Sequence, residues 1–83
     1  MHITMVGTGY VGLVSGAGFA DSGNHVTCLD IDPAKIERLR RNESPIYEPG
    51  LDDLLTRNSA AGRLFFTTDK QEAYASAEVI FIC

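Results

Sequence analysis

Glycines at positions 7, 9 and 12, in the stretch Val6-Gly7-Thr8-Gly9-Tyr10-Val11-Gly12, stand at Gly-x-Gly-x-x-Gly spacing between a short apolar run and a helical pattern. Residues of these types in that order suit the binding of a pyrophosphate. The start of a helix offers backbone N–H groups without intrahelical partners and the positive end of the helix dipole, and a phosphate pair supplies the charge to meet them. Side chains would hold the phosphates off. Gly7 therefore permits a tight turn out of a strand, Gly9 lets the backbone approach the phosphates, and Gly12 lets the helix pack against the strand. With Thr8, Tyr10 and Val11 between them, Gly7 to Gly12 form the candidate cofactor-binding turn. The spacing alone is a weak signal in a chain with 8 glycines among 83 residues, where an ordinary turn can reproduce it. The flanking elements decide.

A second candidate group follows. Asp30 closes an apolar stretch about 20 residues beyond the glycines, where a dinucleotide-binding unit places an acid to accept hydrogen bonds from the adenosine ribose. A carboxylate there favours NAD over NADP, because a 2′-phosphate would meet like charge and no arginine immediately follows Asp30 to neutralise it. The structural alternative is a turn aspartate, and Asp32 competes for the role. Asp32 precedes Pro33, however, and reads as the N-cap of a helix with proline at its first position. Lys35 falls in the first turn of that helix, where a cation is unfavourable to the dipole. That points to a contact with the ribose or adenine edge, although a solvated lysine fits the position equally well.

To bring these groups together the chain needs a strand at 2–6, a helix at 10–22 closed by Gly23, and a second strand at 25–30. Gly12, Gly16 and Ala20 are four apart and share a helix face that can approach a sheet closely. Gly16 and Gly18 each weaken the helix by about 1 kcal/mol relative to alanine, which suits a need for close packing or cofactor access, and nothing specific accounts for Gly18. A helix at 33–42 turns Ile36 and Leu39 inward and a Glu37–Arg41 pair outward. The proline-punctuated connection 44–51 leads into a third helix, with Pro49 in its first turn, Leu51, Leu54 and Leu55 on one face, and Asp52 and Asp53 near its start. Gly62 ends it, 64–67 reads as a third strand, and Asp69 with Glu72 makes a capping box for a fourth helix. Residues 79–83 are continuously apolar, as in a strand buried on both faces.

This alternation predicts an α/β fold: a Rossmann-type parallel sheet with strand order 3-2-1-4 and flanking helices, truncated after the fourth strand. The switch point then lies between the first and fourth strands, beside the glycine turn. A full dinucleotide domain needs about twice this length. Residues 1–83 are accordingly expected to be the N-terminal part of an NAD-binding domain, without the rest of that domain or a substrate domain.

Composition narrows the class. With 45% hydrophobic and 22% charged residues the chain resembles a soluble globular protein. No apolar run approaches the ~20 residues that cross a bilayer, no secretory signal opens the chain, and Cys28 and Cys83 lack metal-ligand or redox spacing. A cytoplasmic protein without a metal site is the expectation. The net charge of −4 argues against nucleic acid as a partner, and Arg38, Arg40 and Arg41 read as a solvated face balanced by Glu37 and Glu43.

Four stretches carry a resemblance to the UDP-glucose/GDP-mannose dehydrogenase family: residues 7–16, 26–32, Pro45-Ile46-Tyr47-Glu48-Pro49-Gly50-Leu51, and 62–69. The first two are shared by many nucleotide-binding domains, whereas the third is far more specific. The resemblance covers nearly the whole chain. It implies oxidation of the C6 alcohol of a nucleotide sugar to a carboxylate with two NAD, through an aldehyde stage and a cysteine thioester. UDP-glucose is the expected substrate, with GDP-mannose and UDP-N-acetylmannosamine as alternatives, in an enzyme that is a homo-oligomer. It further implies that Val11, Asp30 and Lys35 contact NAD. The family's catalytic cysteine and lysine lie beyond position 83, so no catalytic residue is expected here, and Cys28 and Cys83 read as small buried apolar residues. The family commonly has a small residue in place of Cys83 and a histidine in place of Asn24, departures that touch packing. Its loop after the fourth strand, which closes over the cofactor, is not among these residues. A reading of another class is a non-catalytic nucleotide-sensing module of the potassium-transport regulatory type, which has the same strand and turn but no reason to carry 45–51.

Overall fold

The structure, a computed structural model, describes residues 1–83. Its elements are β1 (His2–Val6), α1 (Tyr10–Asp21), β2 (His25–Leu29), α2 (Pro33–Arg40), α3 (Leu51–Ala60), β3 (Leu64–Thr67), α4 (Lys70–Tyr74) and β4 (Val79–Ile82). The strands form one parallel sheet in the order β3-β2-β1-β4, as the alternation predicts. Parallel pairing of β1 with β2 runs from His2 opposite His25 to Val6 opposite Leu29. Both strands therefore end level, and the turns that leave them start side by side.

One face of the sheet holds the core. Ile3 and Met5, Val26 and Cys28, and Leu64 and Phe66 alternate onto it and meet Leu13, Ala17 and Ala20 of α1, Ile36 and Leu39 of α2, and Leu51 and Leu55 of α3. Burying each large apolar side chain there contributes about 1.5–3 kcal/mol. Gly16 sets how close α1 comes, since a Cβ at that position would lie 3.2 Å from both Cys28 Sγ and Met5 Cγ. A Cβ on Gly18 would meet nothing within 4 Å, and nothing in the structure explains that glycine. The other face carries α4, held by the Thr4 hydroxyl donating to the Ala73 carbonyl.

Several boundaries depart from expectation. α2 ends at Arg40 because Asn42 turns left-handed, with φ 61°, and breaks the helical path. α3 begins after Gly50, whose φ of 83° starts the helix, so Pro49 lies outside the first turn. Only half of the expected capping box forms: the Asp69 carboxylate accepts from the Gln71 and Glu72 N–H groups, but the Glu72 carboxylate takes the Thr67 hydroxyl, and the Asp69 N–H donates to Thr67 Oγ1.

β4 is not buried on both faces. Ile80, Phe81 and Ile82 are 48%, 41% and 86% exposed, because the strand stands at the sheet edge with β1 as its only neighbour and α4 packs over β2 and β3. An apolar run marks burial but not its source. Phe81 keeps a stacked contact with Phe19 of α1, ring centres 5.4 Å apart. Cys83, expected to be buried, is exposed at the end of that edge strand, whereas Cys28 is buried and its thiol is pushed up to about 12 by the apolar surroundings.

Candidate functional site

The glycine turn lies where β1 hands over to α1, and its glycines divide by cause. Gly7 has a φ of 105°, and its N–H donates to the Leu29 carbonyl at 2.8 Å, tying the turn to the end of β2. A Cβ on Gly12 would lie 2.1 Å from the Gly7 carbonyl oxygen, so the turn closes only with glycine there. Gly9 is different. Its backbone is extended, and a Cβ would meet no atom within 4 Å. Folding accounts for Gly7 and Gly12, and the space over Gly9 is open to a partner from outside the chain.

The helix start faces that space. The first bond of α1 runs from Leu13 N–H to the Gly9 carbonyl at 2.9 Å, and no backbone or side-chain acceptor takes the N–H groups of Tyr10, Val11 or Gly12. No acid occupies the first turn. Bare amides at the positive end of a helix form a surface suited to an anion, and no atom crowds the approach over Gly9. Val11 is exposed beside it. Tyr10, also exposed, leans the other way, its hydroxyl donating to Glu48 Oε2 at 3.4 Å in the connection before α3.

Asp30 sits one residue past the end of β2, at the same mouth. Its Oδ2 accepts the Thr8 hydroxyl at 2.6 Å and the Thr8 N–H at 3.0 Å, and its Oδ1 accepts the Asp32 N–H at 3.1 Å. Lys35 Nζ stands 3.8 Å from Oδ2, so this lysine is neither simply solvated nor pointed away but paired with the acid. Partial burial by itself pushes the Asp30 carboxyl up. The Thr8 hydroxyl, the Asp32 and Thr8 N–H groups and the Lys35 ammonium outweigh it and hold the group below the ordinary carboxylate value. Asp30 is thus ionised at neutral pH and acts only as an acceptor, which suits a sugar diol. The Asp32 carboxylate is engaged elsewhere, capping α2 by accepting from the Ala34 and Lys35 N–H groups at 3.0 and 3.3 Å.

A cleft of about 340 Å³ opens at the carboxyl ends of β1, β2 and β4, lined by Gly7, Asp30 and Cys83 together with Ile31, Lys70 and Tyr74. Sequence reasoning did not anticipate these last three. Lys70 and Tyr74 arrive from a helix on the opposite face of the sheet, which no local pattern reveals; an apolar Ile31 between two acids was the one available signal. The one hydroxyl of the turn that meets a carboxylate, that of Thr8, is wholly buried and holds Asp30 in place.

A parallel sheet in this order, with bare helix amides at the first strand's turn and a carboxylate at the end of the second, defines a dinucleotide-binding α/β domain of the Rossmann class. The family can be stated too: the model of the UDP-glucose/GDP-mannose dehydrogenase family, NAD binding domain, matches residues 1–83, and the chain belongs to that family. Among curated relatives, UDP-glucose 6-dehydrogenase YwqF of Bacillus subtilis is 52% identical over 82 residues, covering 99% of this chain and 19% of that protein. UDP-glucose 6-dehydrogenase of Rhizobium meliloti is 55% identical over 82 residues with the same coverage. Among solved structures, a ternary complex of GDP-mannose dehydrogenase from Pseudomonas aeruginosa superposes with a TM-score of 0.96 at 40% identity, over 100% of this chain and 19% of that one. A UDP-glucose dehydrogenase from Pyrobaculum islandicum gives 0.92 at 41% identity, over 99% and 19%. The chain spans about a fifth of the length of the relatives it matches. No helix is long and apolar enough to cross a membrane.

Proposed function

We propose that residues 1–83 are the N-terminal part of the NAD-binding domain of a UDP-glucose 6-dehydrogenase, which oxidises the C6 alcohol of UDP-glucose to the carboxylate of UDP-glucuronate with two NAD. The observation that carries this reading is the set of unpartnered Tyr10, Val11 and Gly12 N–H groups under the open space at Gly9, beside an ionised Asp30. The turn Gly7, Thr8, Gly9, Tyr10, Val11 and Gly12 holds the pyrophosphate: the free N–H groups of Tyr10, Val11 and Gly12 meet it, while the Gly7 and Thr8 N–H groups, bound to the Leu29 carbonyl and to Asp30, fix the shape of the turn. Asp30 accepts from the adenosine ribose and repels a 2′-phosphate, while Lys35, 3.8 Å from that carboxylate, contacts NAD beside it. When bound, NAD supplies the hydride acceptor. The bond-making groups belong to the enzyme outside these residues, as do the contacts to the sugar.

The sugar assignment rests on identity, since named UDP-glucose 6-dehydrogenases reach 50–55%. The backbone does not discriminate: the TM-score of 0.96 to a GDP-mannose dehydrogenase favours that substrate as the second reading, and a UDP-N-acetyl-mannosamine dehydrogenase of Staphylococcus aureus gives 0.90. Against a nucleotide-sensing module stands the match of a dehydrogenase family along the entire chain, 45–51 included. The reading includes a cytoplasmic homo-oligomer. NADH release by the full-length enzyme from UDP-glucose, GDP-mannose and UDP-N-acetylmannosamine tests it: UDP-glucose is expected to be turned over at the highest kcat/KM, and release from GDP-mannose alone would overturn the substrate.

A further inference from the structure

Thr8 occupies a position between Gly7 and Gly9 at which the turn itself asks for nothing in particular, yet the residue is wholly buried. Its hydroxyl and its N–H both donate to one oxygen, Asp30 Oδ2, at 2.6 and 3.0 Å, and Lys35 Nζ faces the same oxygen at 3.8 Å. The other oxygen, Oδ1, receives only the Asp32 N–H at 3.1 Å. An ionised carboxylate offers about two acceptor sites on each oxygen. Oδ2 is therefore saturated from within the chain, and Oδ1 retains a free site.

We propose that Thr8 is a positioning residue for NAD: its hydroxyl fixes the Asp30 carboxylate so that Oδ1 is presented to the ribose, and it joins that grip to the turn that holds the pyrophosphate. The inference rests on the NAD-binding role proposed above. It makes the sugar and phosphate subsites a single unit, because the residue that locks the acid is part of the phosphate turn. A hydrogen bond to a charged group contributes more than a neutral one, so the hydroxyl is the part of Thr8 that matters and its methyl group is not.

Thr8→Val in the full-length dehydrogenase removes the hydroxyl while keeping shape and backbone N–H, and Thr8→Ser restores it. Thr8→Val is expected to raise the KM for NAD about tenfold with kcat changed less than about twofold. The pH below which that KM rises should move upward, with the Asp32 N–H and Lys35 still facing the acid, and Thr8→Ser should return both to wild type. A wild-type KM and pH profile in Thr8→Val overturns the inference, as does an equal loss in Thr8→Val and Thr8→Ser, which would assign the effect to packing. Should Thr8→Val not fold, Thr8→Ala carries the same comparison. A wild-type enzyme indifferent to NAD would sink the functional reading itself, whereas an NAD-dependent wild type with an unaffected valine variant sinks this inference alone.

Discussion

The two ends of α1 carry polar clusters of opposite character. At its carboxyl end Asn58 is wholly buried, and its Nδ2 donates to Asp21 Oδ1 and the Leu54 carbonyl at 3.2 and 2.9 Å. Asn58 Oδ1 accepts from Arg63 Nε and Nη2 at 3.2 and 2.9 Å, and Arg63 Nε also reaches the Ala20 carbonyl at 3.0 Å. Arg57 closes the ring on Asp21 at 2.8 Å. Each of these four side chains finds a partner inside the chain, and α1, α3 and the start of β3 are clasped together. At the amino end the Thr8–Asp30 pair is just as tight, but three amides point into open space. One cluster closes on itself; the other leaves three backbone donors without a partner in the chain.

The sharpest way to break this contrast is within the glycine turn. Gly12→Ala forces a Cβ against the Gly7 carbonyl and is expected to destabilise the full-length enzyme by about 3 kcal/mol or more and to abolish NAD binding, measured by thermal unfolding and titration calorimetry. Gly9→Ala should stay within about 1 kcal/mol of wild type in stability yet still weaken NAD. Equal destabilisation by both would show that Gly9 also serves the fold. Asn58→Leu comes next, with an expected cost of about 1–3 kcal/mol, since Arg63 and the Leu54 carbonyl lose a buried partner while Arg57 keeps Asp21 paired and the Ala20 carbonyl still takes Arg63 Nε, and no change in NAD affinity.

Asp30→Ala sharpens the comparison from the other side. It should weaken NAD binding about tenfold and narrow the preference for NAD over NADP, and calorimetry giving unchanged affinities for both would remove Asp30 from the site. The smallest effect is expected from pH. Burial, then the neighbouring His2 ring 4.4 Å away, holds the His25 imidazole below its ordinary value. The unfolded chain therefore binds the extra proton first, so this contribution to stability is present above about pH 6.5 and is lost as pH falls below it. Unfolding temperatures measured from pH 7.5 down to pH 5 should decline, and His25→Phe should flatten that decline. Asp30, whose carboxyl is also held low, loses its contribution only in the more acidic carboxylate range, so the two windows separate.

The strand order, the turn and the capping role of Asp32 were legible in the sequence because each rests on local spacing: glycines at fixed offsets, proline after an acid, apolar runs between. The Thr8–Asp30 bond was not, because it joins residues 22 apart. Only the β1–β2 register, which sets Val6 beside Leu29, places Thr8 at Asp30 once both strands end. The pairing of Lys35 with Asp30 escaped for another reason: the two are five residues apart, but which way a long side chain folds over the start of its helix is not set by spacing. The exposure of β4 escaped too, since an apolar strand reads alike in the middle of a sheet and at its rim.

Gly16 has an effect that reaches past packing. By letting α1 settle directly onto Cys28, it seals a thiol that burial holds in its protonated, unreactive form. An alkylating reagent can thus reach that sulfur only when the helix lifts from the sheet. Labelling of Cys28 would therefore follow the opening of the packing between α1 and the sheet.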